Sequence, residues 1–158
     1  MSYFHNYHPG ILRDEASARL LRFKDGQPSA VTHYRKLLLN WCDEFIDIPH
    51  TIVAVPSHIR GNVSTMERLL PMLCDDVALL NQSAHLIKRF TTPSMCITGR
   101  RKYPELVRSI GIVGTVQRRH VLVLDDVTTT GTSFKAAEHV LLNADALSVT
   151  CLALAKTV

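Results

Sequence analysis

The chain has 158 residues, 46% of them hydrophobic, with mean hydropathy +0.07, a formal net charge of +4 and a sequence pI of about 9.0. That length gives one ordinary globular domain, able to bury roughly two-thirds of its unfolded surface. No run of eighteen apolar residues occurs, and Met1 to Gly10 lacks the apolar core of a signal peptide, so a membrane helix is excluded and a cytoplasmic protein is expected.

Near the amino end, His5 and His8 form an isolated His-x-x-His, which suits a frayed terminus better than a metal site. From Ser29, the apolar positions Ala30, Val31, Tyr34, Leu37, Leu38, Trp41, Cys42 and Phe45 repeat at helical spacing. They predict a core-facing helix capped by Ser29 after Pro28. Residues 51–56 read as a buried strand, followed by a loop Ser57-His58-Ile59-Arg60-Gly61-Asn62. Ser64 and Glu67 then fit a capping box ahead of Met66, Leu69, Leu70 and Leu73, and Pro71 is expected to kink or end that helix.

Residues 84–89 read as a short strand. A polar stretch runs from Phe90 to Tyr103, Pro104 opens a helix that Gly111 stops, and Ile112 to Val116 predicts another strand. Val121 to Leu124 suit a strand buried on both faces, Phe134, Ala137, Val140 and Leu141 a helix, and Leu147 to Ala155 a final strand. Strands interleaved with helices give an α/β fold with a mostly parallel sheet flanked by helices. The expected organisation is one domain over residues 1–158, with residues 1–50 as a helical or hood segment and 51–158 as the α/β core.

Cys42, Cys74, Cys96 and Cys151 include no close pair to grip zinc and no disulfide-scaffold spacing. Neither a Walker phosphate loop nor a dinucleotide fingerprint is present, since no Gly-Lys pair occurs and Gly111 and Gly114 lack a third glycine in register. The phosphate signal lies at residues 121–133, Val-Leu-Val-Leu-Asp-Asp-Val-Thr-Thr-Thr-Gly-Thr-Ser. Asp125 and Asp126 fall at the carboxyl end of a buried strand, where open α/β sheets place their ligands. Two ionised carboxylates can only accept hydrogen bonds, so they suit adjacent ribose hydroxyls, directly or through a hydrated Mg²⁺. Gly131 permits close backbone approach, and Thr129, Thr130, Thr132 and Ser133 put hydroxyls at the start of a helix whose free N–H groups attract anions.

This stretch resembles the signature of type I phosphoribosyltransferases, which bind 5-phospho-α-D-ribosyl 1-diphosphate (PRPP). One position departs: Thr128 stands where the family usually has an aliphatic residue. The resemblance implies a 5-phosphate site at Thr128, Thr129, Thr130, Gly131, Thr132 and Ser133, with Asp125 and Asp126 on the ribose and holding Mg²⁺ through water. It also implies that the loop after the first strand binds diphosphate, through Ser57, His58, Arg60 and Gly61. The segment Lys88 to Arg119 holds eight basic residues and one acid, a local charge of +7. In the family a mobile basic loop in this place neutralises the departing diphosphate, which nominates Arg100, Arg101 and Lys102. A nucleic-acid backbone is the other anion that such a stretch suits.

Within the family the likeness is to the ComF-type branch. It rests on Leu20-Leu21-Arg22-Phe23-Lys24-Asp25-Gly26, Val53-Ala54-Val55-Pro56-Ser57-His58, Thr92-Pro93, and Leu152-Ala153-Leu154-Ala155-Lys156-Thr157. The four-cysteine zinc module found before many such domains is absent from this sequence, and the loop after His58 is shorter than usual. The implied activity is Mg²⁺-dependent transfer of a phosphoribosyl group from PRPP to a small-molecule acceptor. The alternative is a non-catalytic relative acting in DNA uptake, nucleic-acid binding or regulation. Relatives are commonly dimers. The acceptor's cover must come from residues 1–50 or a partner subunit, and Tyr3, Phe4, Tyr7 and Phe23 are the aromatic side chains there able to stack on a base.

Overall fold

The computed structural model describes residues 1–9, 14–92 and 103–158. In chain order the elements are β1 (Ser2–Tyr7), α1 (Glu15–Lys24), α2 (Pro28–Phe45), β2 (His50–Ala54), α3 (Thr65–Asp76), β3 (Leu80–Asn81) and β4 (Ala84–Lys88). They continue with α4 (Tyr103–Ser109), β5 (Ile110–Gly114), β6 (His120–Thr128), α5 (Thr132–Asn143) and β7 (Ser148–Thr157). The main sheet has five parallel strands in the order β1-β7-β6-β2-β3, and β4 and β5 form a separate antiparallel pair.

Alternation along the central strands fills two cores. Leu122 and Leu124 of β6, with Ile52, Leu152 and Leu154, face Leu20, Phe23, Tyr34, Leu38, Leu69 and Leu73 of α1 to α3. Val121 and Val123, with Val53 and Ala153, face Phe134, Ala137 and Leu141 of α5, Leu106 of α4, and Leu86 and Ile110 of the hairpin. Residues 121 to 124 are at most 1% exposed, as a strand apolar on both faces requires. Each fully buried leucine contributes about 1.5–3 kcal/mol relative to exposure, so this double burial fixes the register of β6 and with it the position of the residues that follow.

The helix starts follow local chemistry. Asp14 caps α1 by accepting from the Ala16 and Ser17 backbone N–H groups, and the Ser17 hydroxyl donates to Asp14 Oδ2 at 2.6 Å. These bonds hold the Asp14 carboxyl below its ordinary range. Ser64 and Glu67 form the expected capping box on α3.

Four expectations need correction. Ser29 is not a cap: Gln27 is the cap residue and Pro28 opens α2, because proline's fixed φ and missing N–H suit the first helical position. Pro71 does not end α3, which continues to Asp76; burial of Met66, Leu69, Leu70 and Leu73 along one face outweighs the lost backbone bond. The strand expected at Ile112 to Val116 lies two residues earlier, at Ile110–Gly114, and Gly111 sits inside it. It ends where Gly114, at φ +91°, passes so close to Ser83 that a Cβ would lie 2.2 Å from the Ser83 carbonyl oxygen. The amino end is no frayed tail, since β1 covers the outer edge of β7 from Ser2↔Leu152 to Tyr7↔Thr157. His5 Nε2 lies 2.7 Å from the Tyr34 hydroxyl, so it serves this docking rather than a metal. Of the aromatic residues considered for base stacking, Phe23 is wholly buried, and Phe4 and Tyr7 pack on the core. Tyr3 is exposed, with Lys156 Nζ 5.7 Å from its ring centre.

Candidate active site at the carboxyl edge of the sheet

The candidate residues converge because β2 and β6 are neighbours in parallel. Ala54 pairs with Leu124, and the Val55 N–H donates to the Leu124 carbonyl at 2.8 Å, so the loop after β2 leaves the sheet beside Asp125. The signature strand runs further than its apolar residues, through the acid pair to Thr128. Gly131 then takes φ +73°, a left-handed conformation that glycine adopts without a Cβ penalty, and serves as the cap residue of α5. Having no side chain, it leaves the first-turn N–H groups of a twelve-residue helix without a glycine-borne cap; the nearby Thr130 hydroxyl lies 3.4 Å from the Thr132 nitrogen. Such a helix start attracts anions.

The two acids differ in environment. Asp125 Oδ1 accepts the Asp126 N–H at 2.9 Å, and Asp126 Oδ1 accepts the Val127 N–H at 2.7 Å. Burial, and then the charge of Asp126, push the Asp125 carboxyl well above its ordinary range, while Lys24 pulls the other way. Lys24 Nζ, from the last turn of α1, stands 3.5 Å from Asp126 Oδ2. Its backbone is tied to α3, since the Thr65 hydroxyl donates to the Lys24 carbonyl at 3.0 Å.

In the signature loop, Thr130 and Thr132 hydroxyls are 2.7 Å apart and the Thr129 hydroxyl donates to Thr157 Oγ1 at 3.1 Å. Ser133, the second residue of α5, is half-buried. Thr128 is 4% exposed and its hydroxyl is directed to Met1 Sδ at 3.7 Å, so the residue that departs from the family pattern is engaged in packing. In the loop after β2, Ser57 Oγ accepts from the Ile59 N–H and from Asn62 Nδ2, while Arg60 and Gly61 are exposed. The His58 carbonyl accepts the Thr92 N–H at 2.9 Å, and the Arg60 N–H donates to Thr91 Oγ1 at 3.1 Å. Arg100, Arg101 and Lys102 lie outside the described residues.

Sequence reasoning did not assign functional positions to Lys24, Thr91, Thr92 or Met1. The approach of Lys24 to Asp126 depends on how α1 packs against the sheet. Thr92 is 3% exposed, and among the described residues its hydroxyl has no hydrogen-bond partner. Met1 reaches the signature loop only because β1 docks on β7.

The basic stretch is not one surface. Lys88 is buried and donates to Ser109 Oγ at 2.8 Å, whereas Arg118 and Arg119 precede β6, at the opposite end of the sheet from the signature loop. Burial pushes the Cys42 thiol up to about 11 and the Cys151 thiol up to about 12, which makes both poor nucleophiles. Cys96 lies outside the described residues. Among the described residues, no three His, Cys, Asp or Glu side chains gather to hold a metal, and no helix is long and apolar enough to cross a membrane. The adjacent carboxylates of Asp125 and Asp126 fit Mg²⁺ of the kind that keeps several waters and shares ligands with a substrate's phosphates.

No family model matches the chain, and no match was found among curated proteins. Solved structures share its fold. Phosphoribosylpyrophosphate synthetase from Mycobacterium smegmatis is 21% identical over 77% of this chain, with TM-score 0.51; this chain spans 33% of the synthetase chain. Adenine phosphoribosyltransferases from Leishmania tarentolae and Leishmania donovani are each 12% identical over 84% of this chain, covering 73% and 67% of theirs, with TM-score 0.52. At these identities the likeness is one of fold: the chain has the α/β fold of type I phosphoribosyltransferases.

Proposed function

We propose that the chain is a PRPP-binding phosphoribosyltransferase of the ComF type. The observation that carries this reading is a buried parallel strand delivering Asp125 and Asp126 to the carboxyl edge of the sheet, followed by a hydroxyl-rich turn around left-handed Gly131 and an anion-attracting helix start. In this reading the carboxylates accept the ribose hydroxyls. The N–H groups at the start of α5, with the hydroxyls of Thr129, Thr130, Thr132 and Ser133, hold the 5-phosphate.

The reaction breaks the bond between the anomeric carbon and the diphosphate oxygen, and diphosphate leaves with the electron pair. A bond forms from that carbon to the acceptor, a nucleobase or related amine, whose proton passes to solvent. The protein's contribution is positioning and charge stabilisation. Ser57, His58, Arg60 and Gly61 receive the diphosphate, with Thr91 and Thr92 bracing their loop. Arg100, Arg101 and Lys102 are assigned on sequence to neutralising it. Mg²⁺, when bound by the acid pair through water, supplies further positive charge to the diphosphate.

The test is diphosphate release from PRPP across a panel of nucleobases. Wild-type protein turns over with at least one acceptor, and an Asp125→Asn/Asp126→Asn variant with unchanged circular dichroism does not. Undiminished release in that variant would reject the assignment. Salt-sensitive DNA binding with no affinity for PRPP would favour the non-catalytic alternative instead.

A further inference from the structure

A cleft lies at the other end of the sheet from the signature loop. It has a volume of about 420 Å³ and is lined by Ile48, Pro49, Thr51, Asn81, Arg118, Arg119, His120 and Leu147. These residues stand at the amino ends of β2, β3, β6 and β7. β6 carries His120 at one end and the acid pair toward the other, and from its first residue to its ninth it spans roughly 26 Å at about 3.3 Å per step.

Most polar groups in the cleft are already satisfied. Asn81 Oδ1 accepts from the Thr51 hydroxyl, and Asn81 Nδ2 donates to the His50 carbonyl. His120 Nδ1 lies 2.7 Å from Ser148 Oγ, and its ring stands 5.6 Å from that of His50. What remains is positive or donor-capable. Neither the Arg118 nor the Arg119 guanidinium has an acidic or hydrogen-bonding partner among the described residues, and His120 Nε2 has no hydrogen-bond partner among them. Asp145, the nearby acid, approaches through its carbonyl, which accepts the Arg118 N–H at 2.8 Å.

The backbone here is unusual. Arg118 at φ +55° and Asp145 at φ +62° are the two non-glycine residues with positive φ among the described residues, and that same bond joins them. A second bond, from the Leu147 N–H to the Arg119 carbonyl at 2.8 Å, closes the clamp. Left-handed backbone in an arginine is unfavourable and persists where surrounding structure enforces it, commonly at binding sites. The clamp holds two arginines at a cleft whose lining also includes the apolar residues Ile48, Pro49 and Leu147, with Ile48 40% and Leu147 59% exposed. Arg118 and Arg119 both line the cleft, and guanidinium groups match phosphoryl oxygens, while exposed aliphatic side chains suit an apolar body.

From this arrangement we infer that the cleft binds a nucleoside diphosphate or monophosphate, with the phosphoryl group on Arg118 and Arg119 and the base against Ile48, Pro49 and Leu147. This site is separate from the signature loop, so the inference does not depend on PRPP binding there.

The test is calorimetric titration of ADP into the full chain carrying Asp125→Asn/Asp126→Asn, alone and with Arg118→Gly or Arg119→Ala added. Glycine at 118 accepts φ +55° without strain, so Arg118→Gly removes the charge and leaves the turn at least as stable in a thermal melt. Saturable ADP binding that weakens about tenfold or more with each arginine removed is the expected result. Binding that is unchanged in the arginine variants, or the absence of saturable binding, overturns the inference. Binding of single-stranded DNA but not ADP through the same arginines overturns it as well.

Discussion

Gly131→Ala perturbs the candidate phosphate cradle at its least forgiving backbone position. Gly131 takes φ +73° and ψ +6°, and an L-residue in left-handed conformation costs about 1–2 kcal/mol. The new Cβ would lie 3.4 Å from Met1 Sδ and 3.7 Å from Met1 Cε, the far end of a flexible side chain, so the steric addition is small. Alanine also restricts the unfolded chain, which offsets about 0.4–1 kcal/mol. The net loss is about 1 kcal/mol, a fall in Tm of about 2–4 °C for a chain of this size. Gly131→Asn is the control, because asparagine tolerates the left-handed region and should lose less. Thermal unfolding followed by circular dichroism reads both. Alanine melting at or above wild type, or asparagine melting no higher than alanine, would refute the backbone argument.

Asp125→Asn should stabilise the fold at neutral pH. The carboxyl is pushed well above its ordinary range, so between the two values the native state holds a proton that the unfolded state has lost, and wild-type stability falls as pH rises through that window. The asparagine variant's advantage in urea unfolding should therefore be present at about pH 7.5 and gone by about pH 3.5; an equal advantage at both would contradict this. Lys24→Gln removes the cation 3.5 Å from Asp126 that also lowers Asp125, so the pH dependence of PRPP affinity should shift upward; an unmoved profile would remove Lys24 from the account. Ser64→Ala breaks the capping box of α3 and should cost about 1 kcal/mol, read as a lower urea midpoint; an unchanged midpoint would mean that this cap does not limit stability.

The central strand was legible because it is apolar on both faces, and the signature because carboxylates, glycine and hydroxyls are contiguous in sequence. The capping box was legible for the same reason: its partners are three residues apart. What sequence did not disclose depends on distant contacts. The edge role of β1 needs the open side of β7, and Lys24 reaches Asp126 only after α1 packs. Pro71 shows local propensity overridden by burial along α3. The strand at Ile110–Gly114 is placed by its antiparallel partner and by the close passage at Ser83, neither of which periodicity contains. The basic stretch was legible as charge but not as geometry, since folding buries Lys88 and sends Arg118 and Arg119 to the far end of β6.

The most direct test of the PRPP-binding claim is isothermal titration calorimetry of PRPP into the purified chain, with and without Mg²⁺, alongside Asp126→Asn. The account predicts saturable binding that needs Mg²⁺ and is lost in the variant. PRPP binding of equal strength in the variant, or none in the wild-type protein with Mg²⁺ present, would contradict it.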